Sequence, residues 1–180
     1  GIQKINSGVS ADSVYQLMMQ ESNNFIAEQL LLVASNQVFG VQNTEKIIDF
    51  MKDIEFHDLP DELIWVDGSG LSRYNLFTPR SMVKIVDNIY QEFKMERILT
   101  LFPAGGQSGT LRNWYKGETP YVFAKTGTMS NKHCLTGFVK TNDGKTLIFS
   151  FMHNNYIGSS TPVKKEMQKI LEFIRDNGTI

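Results

Sequence analysis

Apolar residues recur at helical intervals through the first fifty positions and at alternate positions between 121 and 153. That pattern predicts a helical part, a short sheet and a closing helix. Val14, Leu17, Met18, Phe25 and Leu32 fall near the helical period and predict one long helix from Ser10 to about Ala34. Ser13 and Gln16 have capping-box spacing, with Ser10 and Asp12 as other candidate caps. A second helix is expected from Asn43 or Thr44 to about Lys52, burying Ile47, Ile48 and Met51. Ile64-Trp65-Val66 reads as a short strand entering Asp67-Gly68-Ser69-Gly70, where two close glycines signal a tight turn. Thr78-Pro79 has the form of an N-cap followed by proline at the first helical position. Met82, Ile85, Val86, Ile89 and Phe93 would be the core face of that helix.

The glycine-rich stretch 103–119 reads as loop, and from Tyr121 the period becomes two. Tyr121-Val122-Phe123-Ala124 predicts a strand running into Lys125-Thr126-Gly127-Thr128. A hairpin follows, with strands over 135–141 and 145–153 joined by Asn142-Asp143-Gly144. A final helix is capped by Thr161, opened by Pro162, and turns Val163, Met167, Ile170, Leu171 and Ile174 inward. The expected fold class is α+β (mixed α/β): an antiparallel sheet covered by helices, with the terminal helix on one face.

Composition narrows the picture. A length of 180 residues suits one domain with a real core, and 41% hydrophobic against 21% charged residues is a globular balance. A formal net charge of -1 gives no reason to expect nucleic acid as a partner. No apolar run is long enough to span a bilayer. The single cysteine, Cys134, excludes an internal disulfide and reads as a small buried residue. His57, His133 and His153 lack metal-ligand spacing, so neither metal nor cofactor is expected. The start at Gly1-Ile2-Gln3 suggests a processed or cut-out piece, from which an export signal could have been removed upstream.

Two segments are richer in chemistry than packing requires. One is Asp67-Gly68-Ser69-Gly70-Leu71-Ser72-Arg73-Tyr74-Asn75 and the other is Ala124-Lys125-Thr126-Gly127-Thr128. A lysine ending a strand at a sheet edge can hold a carboxylate, and the backbone N–H groups after it can stabilise an oxyanion. Arg112, after a glycine-rich loop, is read as bracing loop carbonyls, and Glu21 and Glu28 as structural.

Together these segments resemble the second and third motifs of the penicillin-recognising serine enzymes. The resemblance is closest to the class C low-molecular-mass penicillin-binding proteins, which are D-Ala-D-Ala carboxypeptidases and endopeptidases. It is carried by the run from Ser22-Asn23-Asn24-Phe25 to Leu31, by 67–75 with Thr78-Pro79, by Gly109-Thr110-Leu111-Arg112, and by 124–128 with Leu135-Thr136-Gly137-Phe138. It implies a β-lactamase/transpeptidase-like fold, of which residues 1–180 would be the C-terminal part of the catalytic domain. It also implies attack by a serine on the D-Ala-D-Ala carbonyl of peptidoglycan stem peptides, inhibition by β-lactams, and export to the periplasm or beyond.

By the same resemblance Ser72 would relay a proton to the leaving amine and Asn75 would bind the substrate amide. Lys125 with Thr126 would hold the terminal carboxylate. The Thr128 N–H would supply half of an oxyanion hole, and Gly127 would keep the strand edge open. The family motif is usually written Ser-x-Asn, whereas Ser72 and Asn75 have two residues between them, and Ser69 is an alternative to Ser72. The only Ser-x-x-Lys string, Ser81-Met82-Val83-Lys84, is expected on the solvated face of its helix, so the nucleophile-bearing part is expected to be missing from this chain. An inactive substrate-binding module, and a β-lactamase or sensor domain on the same fold, are the competing readings.

Overall fold

The structure is a computed structural model and describes residues 8–178. In chain order it contains α1 (Ala11–Glu21), α2 (Asn24–Phe39), α3 (Thr44–Ile54), α4 (Pro79–Glu92), α5 (Met95–Leu101), a 3-10 turn (Gly109–Leu111), β1 (Val122–Met129), β2 (Lys132–Lys140), β3 (Thr146–Asn154) and α6 (Thr161–Asn177). The expected mixed α/β class with an antiparallel sheet is what forms.

The three strands lie in the order β1-β2-β3, both pairs antiparallel. Each hairpin is closed by a residue that tolerates positive φ: Asn131 at +55° after β1, and Gly144 at +86° in the Asp-Gly turn. Alternation along the strands sends side chains to two different cores. Val122, Ala124, Leu135, Val139 and Phe149 pack with Met167 and Leu171 of α6 and with Leu111 and Tyr115 of the preceding loop. Phe123 and Phe138 face the other way, onto Val86 of α4, Ile98 of α5, Phe102 and Ala104. The sheet is therefore the middle of three layers, with α6 on one side and α4 and α5 on the other. Pro103 O accepts the N–H of Ala124 at 3.0 Å, and Gly105 N donates to Val122 O at 2.8 Å, so the loop before the 3-10 turn braces β1.

The expected single helix over 10–34 is two helices. Ser22 adopts φ 52°, ψ 48°, which ends α1, and Asn23 opens α2 by accepting the Ile26 N–H at 2.9 Å. An asparagine at an N-cap satisfies a donor the helix leaves unpaired, and this replaces continuation of the first helix. The break changes the helical phase, and Leu17 and Phe25, two of the periodic apolar positions, are 50% and 72% exposed. Ser10, rather than Ser13, caps α1.

Three other expectations are corrected. Ile64-Trp65-Val66 forms no strand, only an isolated bridge between Ile64 and Leu76. Phe93 lies past α4 and is exposed, with the Arg97 guanidinium over its ring. Ser81 is not solvated but buried at 1% exposure. As the third residue of α4 it turns into a capping cluster, where its N–H and hydroxyl both meet Thr78 Oγ1 and Thr78 in turn donates to Asp61. Lys84 faces away to pair with Asp58 at 3.1 Å.

Gly137 is the tightest point of the sheet. A Cβ there would sit 2.2 Å from Phe123 O and 2.6 Å from Ala124 Cα, both backbone atoms of β1. Gly137→Ala should lower the unfolding free energy by about 2–4 kcal/mol, read as a shifted urea midpoint at unchanged slope.

Candidate active site

Lys125 emerges from β1 on the Phe123 face of the sheet and is largely removed from water. Its Nζ donates to Ser22 Oγ at 2.5 Å and to its neighbour's carbonyl, Thr126 O, at 2.6 Å. No carboxylate lies within ion-pair distance of Lys125 among the described residues, and burial pulls its pKa down to about 8. The ammonium is therefore desolvated and charge-unpaired, yet still mostly protonated at neutral pH. Such a group is suited to receiving an anion and to proton transfer.

Ser22 reaches Lys125 because of the helix break. The left-handed turn ends α1 at Ser22 and sets its side chain at the mouth between α1–α2 and the edge strand β1. The surrounding acceptors assign the amide of Asn24, two residues on, with Nδ2 toward Ser69 O at 3.1 Å and Ser22 O at 3.3 Å. Ser22-Asn23-Asn24 thus carries the Ser-x-Asn spacing that Ser72 and Asn75 lack. The run that begins with this string carried part of the resemblance, but a single unbroken helix over 10–34 left its serine and asparagine without a role.

The structure gives Ser72 and Asn75 other work. Ser72 Oγ accepts the Tyr74 N–H, and Asn75 Nδ2 donates to Asp67 Oδ1 at 2.7 Å while its Oδ1 accepts the Val66 N–H. Ser69 Oγ donates to Asp67 Oδ2. Burial pushes the Asp67 carboxyl up, but hydrogen bonds from Asn75, Ser69 and the N–H groups of Ser72 and Gly70 outweigh it and hold the pKa below the usual range. These polar groups hold a loop together and make no hydrogen bond to Lys125.

On the opposite face of β1, Thr126 Oγ1 donates to Thr110 Oγ1 at 2.9 Å, tying the strand to the 3-10 turn. Arg112 braces the loop as expected, its Nε donating to Gly109 O at 3.1 Å. Gly127 and Thr128 are exposed. A Cβ on Gly127 would meet only Cys134 Cβ at 3.9 Å, so no internal packing requires glycine there. Thr128 Oγ1 shares a 2.8 Å hydrogen bond with Nδ1 of His133, its cross-strand partner. No group of His, Cys, Asp and Glu that could hold a metal exists among the described residues, and no described helix is long and apolar enough to cross a membrane.

An edge strand carrying Lys-Thr-Gly-Thr with its glycine and last threonine exposed, faced by a serine on a helix break and backed by a helix-covered antiparallel sheet, is the arrangement of the penicillin-recognising class of serine enzymes. Residues 12–177 match the D-Ala-D-Ala carboxypeptidase 3 (S13) family, and the chain belongs to that family. It is 30% identical over 157 residues to penicillin-sensitive carboxypeptidase A of Dictyostelium discoideum, covering 79% of this chain and 30% of that protein. It is 26% identical over 171 residues to D-alanyl-D-alanine carboxypeptidase DacB of Haemophilus influenzae, covering 88% and 35%. The crystal structure of penicillin-binding protein 4 (dacB) from Haemophilus influenzae, complexed with a β-lactam, superposes with a TM-score of 0.80 at 21% identity over 91% of this chain and 41% of that one. The chain thus spans about a third of the length of the relatives it matches.

His133 generates a pH prediction. Burial, then the charges of Lys164 and His153, lower its pKa to about 4, below the 6.5 of an unfolded histidine. Between those values the unfolded chain binds more protons, so stability should fall as pH falls from 6.5 toward 4, by up to about 3 kcal/mol. Urea unfolding at a series of pH values should show that slope in the native chain and lose it in His133→Gln.

Proposed function

We propose that the chain supplies the carboxylate-binding and proton-relay half of a serine-type D-Ala-D-Ala carboxypeptidase. The enzyme would act on peptidoglycan stem peptides through an acyl-enzyme and take β-lactams at the same site. The observation that carries this reading is the Lys125 ammonium, desolvated and without a carboxylate partner among the described residues, 2.5 Å from Ser22 Oγ at the edge of β1. Family membership supports the reaction class, and the β-lactam bound to the Haemophilus influenzae protein supports the inhibitor class.

In this reading Lys125, with Thr126, receives the terminal carboxylate of the peptide. Ser22, rather than Ser72, carries a proton between Lys125 and the leaving amine, since its hydroxyl can accept from Nζ while donating outward. Asn24, rather than Asn75, contacts the substrate backbone. Gly127 leaves room for the peptide along the strand, and the Thr128 N–H is one oxyanion donor.

The acyl-accepting serine comes from outside these 180 residues, in line with the share of its relatives' length that the chain spans. Ser81 is unsuitable because it is buried in a cap, and its lysine at i+3 is paired with Asp58. Peptidoglycan as substrate places the working enzyme outside the cytoplasmic membrane, in the periplasm or an equivalent exported compartment.

Calorimetric titration of the chain with a peptide ending in D-Ala-D-Ala tests the carboxylate site. Lys125→Ala should weaken binding about 30-fold, equivalent to about 2 kcal/mol. Affinity of the native chain should fall as pH rises through about 8, where the ammonium loses its charge. Gly127→Ala should bind more weakly while keeping its urea midpoint. A peptide amidated at its C-terminus that bound equally well would remove the carboxylate from the argument.

Incubation with a fluorescent penicillin, followed by mass spectrometry, tests the location of the nucleophile. No adduct is expected on Ser22, Ser72 or Ser81. An adduct on Ser22 would make Ser22 and Lys125 the nucleophile and its base.

A further inference from the structure

Glu28 has no place in the reaction described above, yet its carboxylate accepts three hydrogen bonds from residues distant in sequence. Its Oε2 accepts the N–H groups of Gly68 at 2.7 Å and Ser69 at 3.1 Å, and its Oε1 accepts the Thr44 hydroxyl at 3.1 Å. It stands four residues after Asn24 on α2, and on a helix those two positions share one face. The Ser69 residue whose N–H it holds is the one whose carbonyl receives Asn24 Nδ2 at 3.1 Å.

The loop between them is stiff. A Cβ on Gly68 would lie 2.8 Å from Leu31 Cδ1 and 2.9 Å from Ala27 O, so the loop is pressed onto α2. Within the loop, Asp67 accepts the N–H groups of Gly70 and Ser72, both at 3.0 Å, together with the Ser69 hydroxyl and the Asn75 amide. A loop tied internally by one carboxylate and fastened to the helix by another moves as a unit. Where Glu28 holds it decides where the Ser69 carbonyl sits.

We propose that Glu28 is a positioning residue for the Ser22–Asn24–Lys125 site, clamping the 67–75 loop onto α2 so that the Ser69 carbonyl fixes the amide orientation of Asn24. Both Nδ2 hydrogens are then occupied by the carbonyl oxygens of Ser69 and Ser22. Without the clamp the Asn24 amide can rotate, and the orientation it presents to a bound peptide is no longer fixed. The proposal rests on the carboxypeptidase reading only where the ligand is called a peptide; the clamp itself is independent of it.

The test uses Glu28→Ala and Glu28→Gln in the 180-residue chain. A glutamine Oε1 can accept both loop N–H groups while its Nε2 donates to the Thr44 hydroxyl, so Glu28→Gln should retain the clamp. The first readout is the side-chain amide of Asn24 by 15N NMR, with no ligand present. Native chain and Glu28→Gln should give the same pair of Asn24 Nδ2 proton shifts, and Glu28→Ala should collapse their dispersion and speed solvent exchange at least tenfold. Unchanged Asn24 signals in Glu28→Ala would overturn the proposal.

The second readout is titration with the D-Ala-D-Ala peptide in a double-mutant cycle. Glu28→Ala should weaken binding about tenfold in the native background and not at all in Asn24→Ala, because the effect passes through Asn24. A full tenfold loss persisting in Asn24→Ala would show a merely structural role and overturn the proposal. Absence of peptide binding in the native chain would count against the carboxypeptidase reading, while the amide signals would still decide the clamp.

Discussion

The hydrogen bond from Lys125 Nζ to Ser22 Oγ joins residues 103 positions apart, and much of the structure serves to make it possible. A lysine with no carboxylate partner among the described residues is an unfavourable thing to take out of water, and that burial pulls its pKa down to about 8. The penalty persists because the strand carrying Lys125 is held elsewhere. Val122 and Ala124 are fully buried in the α6 core, Phe123 packs in the opposite core, and Pro103 and Gly105 bond the backbone from outside the sheet.

The three-layer arrangement also explains how the two halves of the site keep their relation. β1 belongs to the sheet, while Ser22 and Asn24 belong to the helical part, which reaches the sheet through α1. Gln20, two residues before Ser22, donates from Nε2 to Phe102 O at 2.9 Å, and Gln16 donates to Thr100 O at 3.0 Å. Arg97 grips Asp12 with both Nε and Nη2. The end of α1 is thereby fixed to the same 100–105 segment that braces β1, so one stretch of chain references both sides of the cleft. The 67–75 loop completes the helical side, and its polar residues act on one another and on α2.

Ser72 and Asn75 illustrate how a motif and a site can differ. The stretch from Asp67 to Asn75 is dense in residues that form Asx- and Ser-turns, and that density drew attention to it as chemistry. Its hydroxyls and amides are consumed in holding Asp67 and in capping backbone N–H groups. Ser22-Asn23-Asn24 carried part of the resemblance but had no role inside a single helix, although the same string contains both the N-cap that ends one helix phase and the hydroxyl that meets Lys125.

Sequence alone determined what depends on short-range physics. The period of two from Tyr121, the Asp143-Gly144 turn, Thr78-Pro79 at the head of α4 and Ile47-Ile48 on the buried face of α3 each follow from local sterics and periodicity, and each stands in the structure. Lys125-Thr126-Gly127-Thr128 was legible as the continuation of that strand for the same reason. Tertiary structure alone decided which serine meets Lys125. That choice rests on one left-handed residue at Ser22, whose conformation is stabilised by the Asn23 cap on one side and the Lys125 ammonium on the other. It decided the burial of Ser81 too, because a hydroxyl at the third position of a helix can satisfy itself on the cap and needs no water. Periodicity reports which face of an element is apolar. It does not report where a polar side chain finds its partner when that partner is a hundred residues away.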